Sequence, residues 1–163
     1  MYLLPSPFTL REIDPASDSD TAFLRCLYHS SRGDLLQMQA EPAFIEQLIE
    51  MQQRMQEQGY QQGYPQARYL MIERAGAPVG RLIVNPGQGA LRVLDITLLP
   101  QAQGQGTGAI VLTGLQQQAA ADGCSVSLAV SHANPRARQL YARLGFVQES
   151  DDGIMQQLRW SLA

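Results

Sequence analysis

An apolar strand that runs straight into a glycine loop and then into a helix constrains this chain more than any other feature. Residues 91–99 read as a strand ending at Pro100, and Gln103, Gly104, Gln105, Gly106, Thr107 and Gly108 follow at once. Residues 106–121 then show helical apolar spacing, with Asp122-Gly123 as the exit. Glycine lets backbone N–H groups turn toward an anion, and a helix N-terminus adds partial positive charge. The segment is therefore built to hold phosphate. A second strand over residues 125–131 makes the unit β-α-β, which must be parallel and right-handed.

The remaining segments extend this to a mixed order. Residues 8–13 read as a first strand, and the polar stretch 14–20 supplies an N-cap for a helix over about 21–31. Glu41-Pro42 opens a second helix to about residue 58, with Phe44, Ile45, Leu48, Ile49, Met51 and Met55 at helical spacing. Residues 59–65 are a tyrosine-rich connection. Strands are expected over 68–74 and 79–84, a helix over 135–144, and two short strands around Asp151-Asp152-Gly153. The expected fold is α/β with a mixed sheet: antiparallel strands first, a parallel β-α-β unit at the phosphate loop, and helices on both faces. At 163 residues the chain is read as a single domain over 1–163.

Composition excludes several function classes. A net charge of −3 gives no footprint for nucleic acid. No apolar run approaches the ~20 residues that span a bilayer, so no membrane partner is expected. The sequence opens MYLLPSPFTL, with no positive region and with breaks at Pro5 and Pro7, so a cytoplasmic location is expected. Cys26 and Cys124 sit in apolar stretches and read as reduced core thiols. No cluster of His, Cys and carboxylates has ligand spacing, so no metal is expected. A Walker loop is excluded because no Lys-Ser or Lys-Thr follows the glycines. A dinucleotide fingerprint fits poorly: the frame at Gly104 and Gly106 has Ala109 in its last place, which only the looser form of the motif allows, and no acidic residue ends a second strand about 20 residues on.

Gln103, Gly106 and Gly108, followed by Asn134, Ala137, Leu140, Tyr141, Gly145 and Phe146, carry a resemblance. In order and spacing they resemble the two signatures of the GNAT family of acyl-CoA-dependent N-acetyltransferases. The likeness is tight from Leu91 to Phe146 and looser before it. It implies a single N-acetyltransferase domain with an acyl-CoA core at about 91–146 and two acceptor-side helices at about 21–58. The implied co-substrate is acetyl-CoA, and the implied acceptor is a small-molecule or peptide amine. Gln103, Gly104, Gln105, Gly106, Thr107 and Gly108 would then hold the pyrophosphate of coenzyme A. Backbone groups at Ile96 and Leu98 would meet its pantetheine arm, and Asn134 would touch the cofactor while capping its helix. Separately from the resemblance, the closeness in sequence of Arg138 and Arg143 to that helix makes one of them the expected partner of the 3′-phosphate.

The resemblance places Tyr141 at the family's general-acid position, where a phenol can protonate the departing thiolate. The general base stays open among Asp95, His132, Glu73 and water, with Asp95 the carboxylate on the glycine-loop strand. Asp95 and Thr97 share one strand face, opposite Leu94, Ile96 and Leu98. Tyr28, Arg32, Met38, Met51, Gln52, Met55, Tyr60 and Tyr64 are available to an acceptor site, and His29 reads as a surface residue. A coenzyme A-binding regulatory module without turnover is the rival reading. A homodimer is compatible with the sequence.

Overall fold

The computed structural model describes residues 2–162. Strand β1 (Phe8–Glu12) leads into helix α1 (Asp18–Ser31), the short helix α2 (Gly33–Leu36) and the long helix α3 (Pro42–Gly63). Strands β2 (Arg68–Arg74), β3 (Ala77–Pro86) and β4 (Ala90–Leu98) follow. A 3₁₀ turn over Pro100–Ala102 and the glycine loop connect β4 to α4 (Thr107–Ala121). Strand β5 (Ser125–Ser131), helix α5 (Pro135–Arg143) and the hairpin β6 (Val147–Asp151) and β7 (Met155–Trp160) complete the fold.

Among the described residues, seven strands form one sheet in the order β1-β2-β3-β4-β5-β7-β6. Only β4 and β5 are parallel neighbours, the pair joined by the α4 crossover. The sheet divides the molecule into two layers. One face carries Leu70, Ile72, Leu82 and Val84, packed with Val111, Leu112 and Leu115 of α4 and Tyr141 of α5. The other carries Met71, Arg81, Ile83, Asp95 and Thr97, and it is covered by α1 and α3.

The pairing of β4 and β5 is short. It runs only over Ala90–Arg92 against Ser125–Ser127, after which the two strands have no ladder between them. β4 also carries a bulge: Ile83 pairs with Asp95 but Val84 pairs with Val93, so Leu94 is an extra residue. The bulge changes the phase of the strand, so Leu91 and Val93 share the α4 face with Ile96 and Leu98. Asp95 and Thr97 do share the opposite face, as expected, but simple alternation does not extend past Leu94.

Three expectations are corrected. Helix α3 continues through Gly59 and Tyr60 to Gly63, so Tyr60 lies on a helix rather than in a loop. Of the apolar α3 positions, Ile45 and Ile49 are buried, whereas Phe44, Met51 and Met55 are 52%, 43% and 61% exposed. A helix that covers a sheet buries one stripe, and α3 turns the Ile45–Ile49 stripe inward with Leu35 of α2. Cys26 is exposed on α1 rather than in the core, because its neighbour Leu27 takes the buried position; Cys124 is partly buried, and both are free thiols.

Candidate active site

A cleft of about 350 Å³ opens where β4 and β5 part. Ile96 and Leu98 form its floor, and the glycine loop and the start of α4 form one wall. Asn134, Arg136, Ala137, Leu140, Tyr141 and Arg143 form the other.

Main-chain groups dominate its floor. The Leu99 N–H donates to the Val79 carbonyl on β3 at 2.9 Å. Backbone direction alternates along a strand, so the N–H and C=O groups of Ile96 and Leu98 point the other way, into the gap beside β5. Gln103 covers one of them: its Nε2 donates to the Leu98 carbonyl at 3.1 Å. An extended amide chain laid in this gap would find the hydrogen bonds of an added strand.

The glycine-loop wall presents main-chain N–H groups. Gly104 has φ +73° and Gly106 φ +79°, left-handed conformations that suit glycine. Gly106 is the N-cap of α4 and no side chain caps that end. The first-turn N–H groups of α4 therefore have no partner within the helix and face the loop. Gly108 lies against Leu140 of α5, where a Cβ would come within 3.4 Å of the leucine Cδ2. Gln105 does not line the cleft, because its side chain turns back and donates to the Gln101 carbonyl at 2.9 Å.

Helix α5 supplies the rest. Asn134 caps it by accepting the Ala137 N–H at 3.2 Å. Tyr141 is buried and meets Phe146 edge-on at 5.8 Å between ring centroids. Burial first, and the negative charge of Asp95 second, raise the Tyr141 phenol above its ordinary value, so it holds its proton at neutral pH. The expected phosphate cation Arg138 is on the wrong side of the helix: its Nε donates to Gln156 at 3.1 Å. Arg143 does line the cleft, and Arg136 joins it beside Gly104. Arg136, Leu140 and Arg143 share one face at helical spacing, and that spacing was the available signal for Arg136.

Asp95 lies on the other face of the sheet, toward α1 and α3. Its Oδ2 accepts from Arg81 Nε at 3.2 Å and its Oδ1 from Thr97 Oγ1 at 2.8 Å. Arg81 is also held by Glu57 and Gln56 of α3. Tyr60 reaches the bulge and donates to the Leu94 carbonyl at 3.4 Å. The other two candidate bases are occupied elsewhere. Glu73 pairs with Arg11 near the β1 edge of the sheet. His132 Nε2 lies 2.7 Å from Asp151 at the end of β6. His29 pairs with Glu46 between α1 and α3.

Of the acceptor-side residues, Tyr28, Arg32 and Gln52 meet: Arg32 donates to the Tyr28 hydroxyl at 2.7 Å and to Gln52. Met38, Met51, Met55 and Tyr64 are exposed and do not join them. Besides Arg136, reasoning along the sequence missed Arg81 and Glu57. The change of phase between Leu91/Val93 and Ile96/Leu98 signalled the bulge beside them, but nothing local marked that ion pair. Among the described residues, no group of three or more His, Cys, Asp or Glu is placed to hold a metal ion, and no helix is long and apolar enough to cross a membrane.

A sequence model described as the acetyltransferase (GNAT) family matches residues 33–146. No curated protein matches the chain in sequence. Solved structures share the fold. PaiA N-acetyltransferase from Thermoplasma acidophilum, in complex with coenzyme A, is 17% identical with a TM-score of 0.68 over 95% of this chain and 99% of its own. An acetyltransferase from Thermus thermophilus is 20% identical with a TM-score of 0.66, over 98% of this chain and 100% of its own. RimL, a ribosomal L7/L12 alpha-N-protein acetyltransferase in complex with coenzyme A, is 18% identical with a TM-score of 0.67, over 99% and 97%.

Proposed function

Because the chain belongs to the acetyltransferase (GNAT) family, we propose that it moves an acetyl group from acetyl-CoA to a primary amine by direct attack. One observation carries the reading. The main chain of Ile96 and Leu98, free of β5 apart from the Gln103 bond to the Leu98 carbonyl, the uncapped start of α4 and the protonated Tyr141 all line a single cleft. The residues present fit coenzyme A. Gly104, Gly106, Thr107 and Gly108 would hold its pyrophosphate, Ile96 and Leu98 would meet its pantetheine amides, and Arg136 and Arg143 would pair with a further phosphate. Gln103 and Asn134 hold the two walls in place.

Acetyl-CoA, when bound, supplies an activated acyl carbon and a thiolate leaving group. The new N–C bond forms as the C–S bond breaks; the amine gives up one proton, and the sulfur takes one from Tyr141. A backbone N–H of the β4 end polarises the carbonyl. Asp95 draws the ammonium form to the bulge and takes from it, directly or through water, the proton that frees the attacking lone pair; the second N–H proton, lost as the amide forms, passes through water to the Tyr141 phenolate.

Thiol release from acetyl-CoA with a panel of primary amines tests the reading. Amine-dependent release, one thiol per acetylated amine, is expected. A second reading has its own support, because Arg81 and Thr97 already occupy both oxygens of Asp95. It is a coenzyme A-binding module without turnover. Coenzyme A binding with no thiol release for any amine would decide for it.

A further inference from the structure

The sheet face beneath α1 and α3 carries a surplus of negative charge close to the bulge. Tyr69, Ile83 and Asp95 lie in one register row across β2, β3 and β4, and Met71, Arg81 and Thr97 lie in the next. Directly opposed residues of antiparallel strands share a face. Tyr69, Arg81, Asp95 and Thr97 therefore all project toward α3, which lays Glu57 and Tyr60 over them. The Arg81 side chain is 7% exposed and is paired with both Glu57 and Asp95. Two carboxylates around one guanidinium leave one negative charge over.

A hydroxyl there also lacks a partner. The buried Tyr69 hydroxyl makes no hydrogen bond among the described residues, although a phenol can both donate and accept. A buried polar atom without a partner calls for an explanation, and a bound donor is one. Burial and the charge of Glu57 raise the Tyr69 phenol; burial and the charge of Asp95 push Tyr60 up to about 12. Both tyrosines are thus neutral hydroxyls at this anionic site.

Among the described residues, the arginines whose side chains meet the acidic groups of this face are already paired. Arg81 is doubly paired, Arg32 pairs with Asp34, and Arg11 pairs with Asp20 and Glu73. Arg25 and Arg54, the other arginines of α1 and α3, are exposed.

We infer that the acceptor is an amine with no carboxylate beside its reacting nitrogen, drawn in as its ammonium form by the Glu57–Arg81–Asp95 cluster and the hydroxyls of Tyr60 and Tyr69. This rests on the acyl-transfer reading and narrows its substrate class. Alkyl amines and amides of amino acids satisfy it. Free α-amino acids do not, because they bring a second negative charge to a site that already carries one. Like-charge juxtaposition in a partly desolvated site is costly.

The test is calorimetric titration of phenethylamine, phenylalaninamide and phenylalanine into the full chain saturated with coenzyme A. The three ligands share a ring and an amine and differ at one carbon substituent. Phenethylamine and phenylalaninamide should each bind at least about tenfold more tightly than phenylalanine. Glu57→Gln should shrink that ratio. Equal or tighter binding of phenylalanine overturns the inference, as does the absence of binding by all three. The titration of coenzyme A that precedes them separates the two levels. If coenzyme A itself does not bind, the transferase reading fails; if it binds and the amines do not discriminate, only the acceptor class fails.

Discussion

Tyr141 and Arg136 carry the sharpest consequences of this structure, one for proton transfer and one for charge. Tyr141 is buried and keeps its proton well above neutral pH, which is the state a general acid needs. Tyr141→Phe retains the edge-on packing against Phe146 and removes only the O–H. Turnover should fall by roughly 10²- to 10⁴-fold, while coenzyme A affinity changes little, as expected for a group that acts only in the transition state. Steady-state kinetics beside direct coenzyme A binding checks this; turnover close to wild type with chemistry limiting would make Tyr141 a packing residue. The raised phenol also sets the pH dependence. The acid form is lost only as pH rises through a value above 10, so Tyr141 should produce no fall in turnover between neutral pH and that point. Arg136 and Arg138 form a matched pair two positions apart. Arg136→Ala should weaken coenzyme A binding by up to about tenfold, and added salt should shrink the difference, as for any solvent-exposed charge pair. Arg138→Ala, which loses only a contact to Gln156 outside the cleft, should leave binding unchanged. Titrations at two ionic strengths distinguish them, and a larger loss at Arg138 would contradict the placement of α5.

At the scale of elements, the cleft depends on how β4 sits between its neighbours. β3 approaches β4 so closely at Gly80 that a Cβ there would lie 2.4 Å from the Thr97 carbonyl oxygen and 2.7 Å from Leu98 Cδ2. The clash is with backbone, so the strand rather than a side chain has to move. Gly80→Val should cost at least about 1–3 kcal/mol by overpacking and displace Leu98 from the cleft floor. Gly59 offers the contrast: it lies inside α3, and a methyl added there would meet nothing within 4 Å. Gly59→Ala should stabilise the protein by about 0.5–1 kcal/mol, because alanine loses less conformational freedom in a helix. Denaturant midpoints of the two variants against wild type measure both effects, and equal midpoints would rule out the close approach at Gly80. The same closeness explains the parting of β4 and β5. β4 is held to β3 along nearly its whole length but to β5 only at Ala90–Arg92, so the bulge at Leu94 bends it away from β5 and opens the gap.

For the whole molecule, stability at low pH rests partly on one buried carboxylate. Asp20, in the first turn of α1, accepts both Nη groups of Arg11 on β1 and the Asp14 N–H. The Arg11 bonds first, and the Asp14 N–H second, hold its carboxyl below the ordinary carboxylate value. A lowered folded-state pKa means the folded chain binds fewer protons than the unfolded one. Its contribution is therefore complete above the unfolded value of about 3.9 and is lost as pH falls toward the lower folded value. Asp20→Asn should lower stability at neutral pH and flatten its decline below about pH 4, which thermal melts across pH resolve; parallel curves for the two proteins would remove Asp20 from the account. Much of the fold was legible beforehand because its signals are local. A glycine that needs φ near +79°, an asparagine that caps its own helix and an apolar stripe at helical spacing each act within a few residues. The strand–loop–helix unit and the parallel β4–β5 pair could therefore be read along the chain, and the resemblance added the cleft residues Ile96, Leu98 and Asn134 to Gly104 and Gly106 of the loop. The side-chain arrangement beneath α1 and α3 could not. Whether Arg136 or Arg138 faces the cleft depends on the rotation of α5, whether Phe44 or Ile45 is buried depends on the rotation of α3, and one extra residue at Leu94 shifts the phase of β4. The sequence by itself determined the glycine loop and the helix it opens, since backbone conformation there follows from residue type. Only the tertiary structure decided that Glu57, Arg81 and Asp95 meet, because their ion pairs depend on strand register and helix packing that no short stretch of chain encodes.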